Sequence, residues 1–206
     1  MELKTRNIAD RARGVFMKYG IRSVSMDDIC RELGMSKKTL YRYFGNKSDL
    51  VNRILQQSLE DFESHISAIR INEHNAIDDL LEISRVIDEH MQGASLAISF
   101  DLQKYYPEIY HEYLIKMREF ASGYLRLNIE KGINEGYYRP DLNIALIAKL
   151  YMQKIEDLHD ANYYKIDEKS YTEVFHVMFE NHIRGIANEN GIRYYEERKK
   201  RLKLNW

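Results

Sequence analysis

Apolar residues recur every three or four positions along most of the chain, which is the spacing of one face of an α-helix. In the first such stretch, Ile8, Ala12, Phe16 and Tyr19 share a face, and Gly20 follows where a helix would end. The chain contains two prolines and lacks the alternating β-branched runs that are typical of strands. The pattern therefore predicts an all-α protein.

About nine helices account for this pattern. The first covers about residues 4–19, and a second and a third lie on either side of Gly34. The other six are expected near residues 47–69, 76–91, 94–105, 107–134, 142–159 and 168–188. Breaks between them are expected at Gly93, at Gly136 and over residues 160–167. The polar, basic segment from Tyr194 onward is expected to be a frayed, solvated helix.

Residues 25–50 carry the most informative pattern in the chain. Ser25 and Asp28 have the spacing of a helix capping box, and Asn46 and Asp49 repeat that spacing at the start of a later helix. Between the two caps, apolar residues are spaced to close a small shared core: Ile29, Leu33, Leu40 and Phe44. A helix, a tight glycine turn and a second short helix predict a helix-turn-helix motif.

The polar positions of the short helix after Gly34 combine positive charge with hydroxyl groups. Side chains of these two kinds reach phosphates and base edges when a helix lies in the major groove of DNA. An ordinary helical hairpin would explain the lysines but not the exposed tyrosines beside them. We therefore predict that the segment binds double-stranded DNA through Lys37, Lys38, Thr39, Tyr41, Arg42, Tyr43 and Lys47.

The charge of the chain is distributed unevenly. Residues 1–50 contain 11 Lys and Arg against 6 Asp and Glu, a net charge of +5, whereas the whole chain has a net charge of −1. A basic N-terminal segment joined to an acidic remainder is typical of a phosphate-binding module attached to a domain that does not bind DNA.

The stretch from Gly34 to Lys47, GMSKKTLYRYFGNK, resembles the turn, recognition helix and following helix cap of the TetR/AcrR family of bacterial transcriptional regulators. The resemblance extends more loosely back to Ile8. Beyond Val51 it covers only length, helical pattern and the break at residues 135–141.

This resemblance implies a helix-turn-helix DNA-binding domain, expected at residues 1–46, and a helical effector-binding and dimerisation domain, expected at 47–206. It also implies a homodimeric repressor that a small molecule releases from a palindromic operator. The family's DNA-facing positions match the set given above. Asp27 and Asp28 stand where some members carry a basic base-reading residue, so no base contact is expected from the second helix.

The DNA-facing residues are expected to divide into two roles, because phosphate contacts position a protein and base contacts read the sequence. Long cationic side chains pair with guanine acceptors in the major groove, so reading is expected from Lys37, Lys38 and Arg42. Positioning is expected from Thr39, Tyr41, Tyr43 and Lys47. Lys47 lies at the first turn of the fourth helix, where backbone N–H groups would add to a phosphate site.

Aromatic and methionine side chains line one broad face of the seventh helix, and neighbouring helices offer others. A stripe of this kind is more often plain core, but buried tyrosine hydroxyls need partners that a bound ligand can supply. We predict a pocket for an apolar or aromatic small molecule, lined by Phe62, Met91, Phe100, Tyr106, Tyr110, Tyr113, Met117, Phe120, Tyr124 and Met152.

The last two predicted helices have apolar faces wide enough to pack on both a core and a partner. Helix pairs of this kind form the dimer interface in the family, and two heads one helical turn apart match a palindromic site. The expected interface residues are Ile147, Tyr151, Ile155, Phe175, Met178, Phe179 and His182.

Two other functions are considered. Glu108–His111 and Glu173–His176 each have the Glu-x-x-His spacing of carboxylate-bridged di-iron bundles, but both residue types are common and such an enzyme would leave the basic head unexplained. The second alternative is a DNA-binding protein without an effector, which predicts a filled body with no cavity.

Composition fits the regulator. No run of about 18 apolar residues predicts a membrane span, and no apolar signal region follows Met1. Cys30 is the single cysteine, which is typical of a reducing compartment. We expect a cytoplasmic protein with no membrane partner, no cofactor, no metal and no catalytic residues.

Overall fold

The computed structural model describes residues 2–71, 74–92, 96–159 and 168–202. The all-α class is confirmed: within these ranges the chain forms ten helices. They are α1 (Glu2–Tyr19), α2 (Met26–Leu33), α3 (Lys37–Tyr41), α4 (Lys47–Ile71), α5 (Ala76–Gln92), α6 (Leu96–Tyr105), α7 (Pro107–Asn134), α8 (Ile144–His159), α9 (Glu168–Ile186) and α10 (Glu189–Leu202). The breaks predicted at Gly93 and over residues 160–167 lie outside the described residues.

The described chain divides into two compact units. The first contains residues 2–64 and 96–117, and the second contains 65–71, 74–92, 118–159 and 168–202. The long helices α4 and α7 therefore each contribute to both units. The domain boundary predicted after residue 46 stays a prediction, and the first unit extends beyond it.

The first unit has one hydrophobic core, to which six helices and the turn after α1 contribute. Ile29 from α2 and Leu40 from α3 are fully buried in it, and Leu50 from α4 lies beside them. Leu102 from α6 and Tyr110 from α7 belong to the same cluster. The helix-turn-helix is therefore packed together with the start of α7 rather than around its own residues alone.

The second unit has a core of its own, with a buried polar group at one edge. The carboxylate of Asp79 is buried and lies 2.7 Å from the ammonium of Lys131. Burial raises the pKa of Asp79, and the Lys131 charge opposes that shift. Nearby, the Asn128 amide donates to the carbonyl of Ala76 at 2.8 Å and accepts from the Tyr138 hydroxyl at 3.2 Å. These contacts join the start of α5 to the end of α7.

The tail is a packed helix, and the expectation of a frayed, solvated one is wrong. Tyr195 of α10 is fully buried in the second core. Arg198 pairs with Asp78 at 2.6 Å, and Lys199 pairs with Glu180 at 2.7 Å. Arg198 and Lys199, which looked solvated in the sequence, therefore hold α10 against α5 and α9.

Two glycines of α7 differ sharply in their surroundings. A Cβ atom added to Gly132 would lie 2.1 Å from the ring of Tyr138, which is itself buried. A Cβ atom added to Gly123, in the same helix, would meet no atom within 4 Å. The Tyr138 ring therefore leaves room only for glycine at position 132, whereas position 123 has room for a larger residue.

We predict opposite effects of alanine at these two positions. Gly132→Ala forces the Tyr138 ring to move and should lower the free energy of unfolding by about 1–3 kcal/mol. Gly123→Ala should raise it by about 0.5–1 kcal/mol, because alanine favours a helix interior over glycine. Chemical denaturation of both variants measures the difference. Equal effects at the two sites would contradict the packing described for Tyr138.

Candidate nucleic-acid interface

The helix-turn-helix is set by three local features that the sequence predicted. The hydroxyl of Ser25 accepts from the backbone N–H of Asp28 at 3.1 Å, and the Asp28 carboxylate accepts from the Ser25 backbone N–H at 2.9 Å. Gly34 ends α2 in the left-handed conformation, with φ of +66°. Asn46 accepts from the backbone N–H of Asp49 at 2.9 Å and so caps α4. Both predicted caps and the predicted turn are confirmed.

The short helix α3 turns one side to the core and the other to solvent. Ser36 caps it, with its hydroxyl 3.1 Å from the backbone nitrogen of Thr39 and 2.8 Å from the Thr39 hydroxyl. Leu40 is the buried residue of this helix. The side chains predicted to face DNA include five exposed ones: Lys37, Lys38, Thr39, Tyr41 and Arg42. They form a continuous surface of positive charge and hydroxyl groups.

Tyr43 and Lys47 are placed differently from the other five. Tyr43 is partly buried and packs against the core of the first unit. The ammonium of Lys47 donates to the backbone carbonyl of Ile21 and lies 5.7 Å from the ring centroid of Phe16. Burial lowers the pKa of Lys47. The Lys47 ammonium therefore faces the turn after α1, an inward position in which one of its N–H groups is already bound.

The two adjacent lysines of α3 have unequal electrostatic surroundings. The ammonium of Lys37 pairs with the carboxylate of Asp27 at 2.6 Å, and this hydrogen bond raises the pKa of Lys37. Among the described residues, no ion pair involves Lys38. The Lys38 charge is thus the more available of the two to a nucleic acid. Asp27, which argued against base contacts from α2, also reduces the effective positive charge of α3.

The residues predicted to line an effector pocket are divided between the units. The first unit holds Phe62, Phe100, Tyr106, Tyr110, Tyr113 and Met117. The second holds Phe120, Tyr124 and Met152, and the side chain of Met91 lies outside the described ones. The rings of Tyr110 and Tyr113 are stacked with centroids 6.3 Å apart, and burial raises the pKa of Tyr113 to about 12. Phe100 is exposed rather than enclosed. The pocket stays a prediction.

The residues predicted for the dimer interface need correction. Phe175, Met178 and Phe179 are buried in the second core of the same chain. A side chain already covered by its own chain has little surface to offer a partner, so these three stabilise the protomer. The other four predicted residues are partly buried: Ile147, Tyr151, Ile155 and His182.

The side chain of His182 also packs within its own chain. Its ring lies 4.1 Å from the ring of Tyr151, centroid to centroid, and its Nε2 atom is buried. Burial lowers the pKa of His182 to about 4, so the imidazole is neutral at pH 7.

The sequence interpretation missed a set of exposed apolar side chains on the same two helices. Leu146 and Leu150 on α8 are 51% and 57% exposed, and Val177 on α9 is 63% exposed. Leu146 and Leu150 are four residues apart, so both lie on one face of α8. Each helix has two apolar faces, and the sequence pattern could not tell which one its own core covers.

In the described part of the chain, no group of three or more His, Cys, Asp and Glu side chains is arranged to hold a metal ion. None of the described helices combines the length and apolar character that crossing a membrane requires.

Comparisons with known proteins agree with this site. Residues 8–54 match the family model described as bacterial regulatory proteins, tetR family. The HTH-type transcriptional regulator SAR2658 of Staphylococcus aureus is 28% identical over 116 residues, which are 52% of this chain and 63% of that protein. The chain thus spans less than two thirds of this relative's length.

Solved structures share the fold at low sequence identity. A transcriptional regulator from Cytophaga hutchinsonii has a TM-score of 0.71 at 18% identity, with 90% of this chain and 99% of that one covered. SCO4454, a TetR-family transcriptional regulator from Streptomyces coelicolor, has a TM-score of 0.69 at 19% identity, with coverages of 90% and 96%. Residues 8–54 are therefore similar to the DNA-binding region of bacterial regulatory proteins of the tetR family, and the chain shares the fold of these solved regulators.

Proposed function

We propose that this protein is a cytoplasmic transcriptional repressor that binds a palindromic operator as a homodimer and releases it when a small molecule binds. The observation that carries the DNA-binding part is the exposed surface of α3, where lysine, arginine and hydroxyl side chains stand on a capped, buried framework. The family match over residues 8–54 supports the same function.

DNA recognition is assigned to α3, with unequal roles for its lysines. Lys38 is the best candidate for reading a base edge, because its charge is exposed and no ion pair involves it in the described part of the chain. Lys37 is held by Asp27, so it contributes less charge to the contact. Tyr41 and Thr39 supply hydroxyls that can donate to phosphate oxygens.

Dimerisation is assigned to the outward faces of α8 and α9. Leu150 and Val177 are large apolar side chains with more than half of their surface exposed, and a partner that covered them would remove that surface from water. A single head reads few base pairs, whereas two heads in fixed register match a palindrome and give useful affinity. A second copy of this chain therefore fits both the surface and the function.

Ligand response is assigned to the aromatic face of α7, and its ligand is expected to be apolar or aromatic. Tyr110 and Tyr113 pack with the core that also holds α2 and α3. A ligand that contacts these rings can therefore act on the same packing that orients the DNA-binding helices. It must bind the DNA-competent and DNA-incompetent states with different affinity, because equal affinity for both would shift neither.

The exposed surface of α3 leads to a prediction with a built-in control. Once an operator has been selected from random DNA, Lys38→Ala should relax the base preference at one position and weaken binding by about 1–3 kcal/mol per lost bidentate contact. Lys37→Ala removes the same charge one residue away but should cost less, because Asp27 already neutralises Lys37. Fluorescence anisotropy on operator variants measures both effects. Equal losses at the two positions would contradict the roles assigned here.

The exposed apolar face of α8 and α9 leads to a second prediction. Val177→Glu should give monomers that keep the wild-type helical content, because the side chain contributes little to its own core. Phe179→Glu should instead unfold the second unit, since it buries an unpaired carboxylate. Asn190→Glu, which adds the same charge on α10, is the control and should remain dimeric. Sedimentation of the three variants tests the assignment, and a dimeric Val177→Glu protein would place the interface elsewhere.

A further inference from the structure

One peptide group in the turn between α1 and α2 is hydrogen-bonded on both sides by charged side chains. The carbonyl oxygen of Ile21 accepts from the ammonium of Lys47, at the start of α4. The backbone N–H of Arg22, which belongs to the same peptide group, donates to the carboxylate of Asp101 on α6 at 2.8 Å. In a trans peptide these two groups point in opposite directions, so the peptide lies between the cation and the anion.

The two hydrogen bonds reinforce each other. A cation beside the carbonyl oxygen and an anion beside the N–H polarise the peptide group in the same sense, and hydrogen bonds in such a chain strengthen one another. Burial lowers the pKa of Lys47, and the charges of Asp101 and Asp28 oppose that shift. Asp101 therefore stabilises the inward position of Lys47 both through the peptide and by its charge.

Further contacts fix Asp101 beside this turn. A Cβ atom added to Gly20, whose φ is +81°, would lie 3.6 Å from the Asp101 carboxylate, so the turn passes close to that oxygen. The guanidinium of Arg22 lies 5.2 Å from the ring centroid of Tyr105, four residues after Asp101 on α6. Side chains of α6 and the turn between α1 and α2 are thus in contact at more than one point within the first unit.

This arrangement competes with DNA binding. An ammonium has three N–H donors, and the one that binds the carbonyl of Ile21 keeps Lys47 against the turn and so restricts its reach toward a phosphate. The carboxylate of Asp101 favours the inward position of Lys47. The Asp101 carboxylate attracts the Lys47 ammonium as a phosphate would, but it keeps the ammonium against the protein.

We propose that Asp101 is a positioning residue that lowers DNA affinity by holding Lys47, through the peptide group of Ile21 and Arg22, away from the phosphate backbone. This inference rests on the proposed DNA-binding function and deepens it. It gives α6 a direct role in setting the number of phosphate contacts that each head makes. Phe100, which was predicted for the effector pocket, immediately precedes Asp101 on that helix.

The test is Asp101→Asn, which keeps an oxygen acceptor for the N–H of Arg22 but removes the negative charge. With a selected operator, the variant should bind roughly threefold to tenfold more tightly than the wild type, as expected when two partly exposed charge interactions per dimer are removed. The slope of log affinity against log salt should steepen by up to about 0.9 for each added phosphate contact.

Two further variants separate this role from a general effect of charge. Glu108→Gln makes the same charge change at an exposed position of α7 in the same unit, and it should leave affinity and salt slope unchanged. Lys47→Met keeps the aliphatic stem over Phe16 but removes the ammonium, and Asp101→Asn should produce no gain in that background. An equal gain with Glu108→Gln, or an undiminished gain in the Lys47→Met background, would overturn the proposal.

A measurement without DNA tests the contact independently. In nuclear magnetic resonance spectra of the lysine side chains, Asp101→Asn should weaken the ring-current shift of the Lys47 methylene groups, because the lysine then spends less time over the ring of Phe16. An unchanged ring-current shift of Lys47 overturns the proposal even if the wild type binds DNA. A wild-type protein that binds no sequence from the random pool overturns the proposed function, and the inference with it.

Discussion

The packing of the helix-turn-helix against α6 and the start of α7 fixes how the short helices α2 and α3 are oriented. The helices α2 and α3 contain eight and five residues, too few to be stable as isolated helices in water. Their orientation is fixed because Ile29 and Leu40 share a core with Leu102 and Tyr110. The surface offered to DNA is therefore held in place partly by residues more than 60 positions further along the chain.

This shared core bears on the proposed ligand response. Tyr110 and Tyr113, which the sequence predicted for an effector pocket, belong to or pack against the core that holds α3. Asp101 on α6 contacts the turn before α2 directly. A change at α6 or at the start of α7 can reach the DNA-binding helices through packing and hydrogen bonds inside one unit. No separate relay through the remainder of the molecule is required for that step.

Features determined by neighbouring residues were predictable from the sequence. The caps at Ser25 and Asn46 and the turn at Gly34 depend on local backbone chemistry, and the structure contains all three. The start of α7 at Pro107 likewise follows from the fixed backbone angle of proline. The sequence also indicated which side chains of α3 face solvent. Leu40 is the buried residue of this helix, and its other positions carry polar side chains.

Features determined by distant partners were not predictable in the same way. The tail looked solvated because its charges are obvious in the sequence, whereas the partners of Arg198 and Lys199 lie 120 and 19 residues away. Phe179 and Val177 are both apolar residues of α9, and only the tertiary structure shows that the first is 3% exposed and the second 63%. Lys47 has a backbone carbonyl as its partner, and no pattern of side chains records such a contact.

Native-state hydrogen exchange of Leu40→Ala in the full chain tests whether the helix-turn-helix and the start of α7 form one cooperative structure. Replacing a fully buried leucine by alanine typically costs about 2–5 kcal/mol, so opening of the first unit should become much more frequent. Amide protection should then fall together in α2 and in the part of α7 around Tyr110. Loss of protection confined to α2 and α3, with wild-type protection retained around Tyr110, would contradict it.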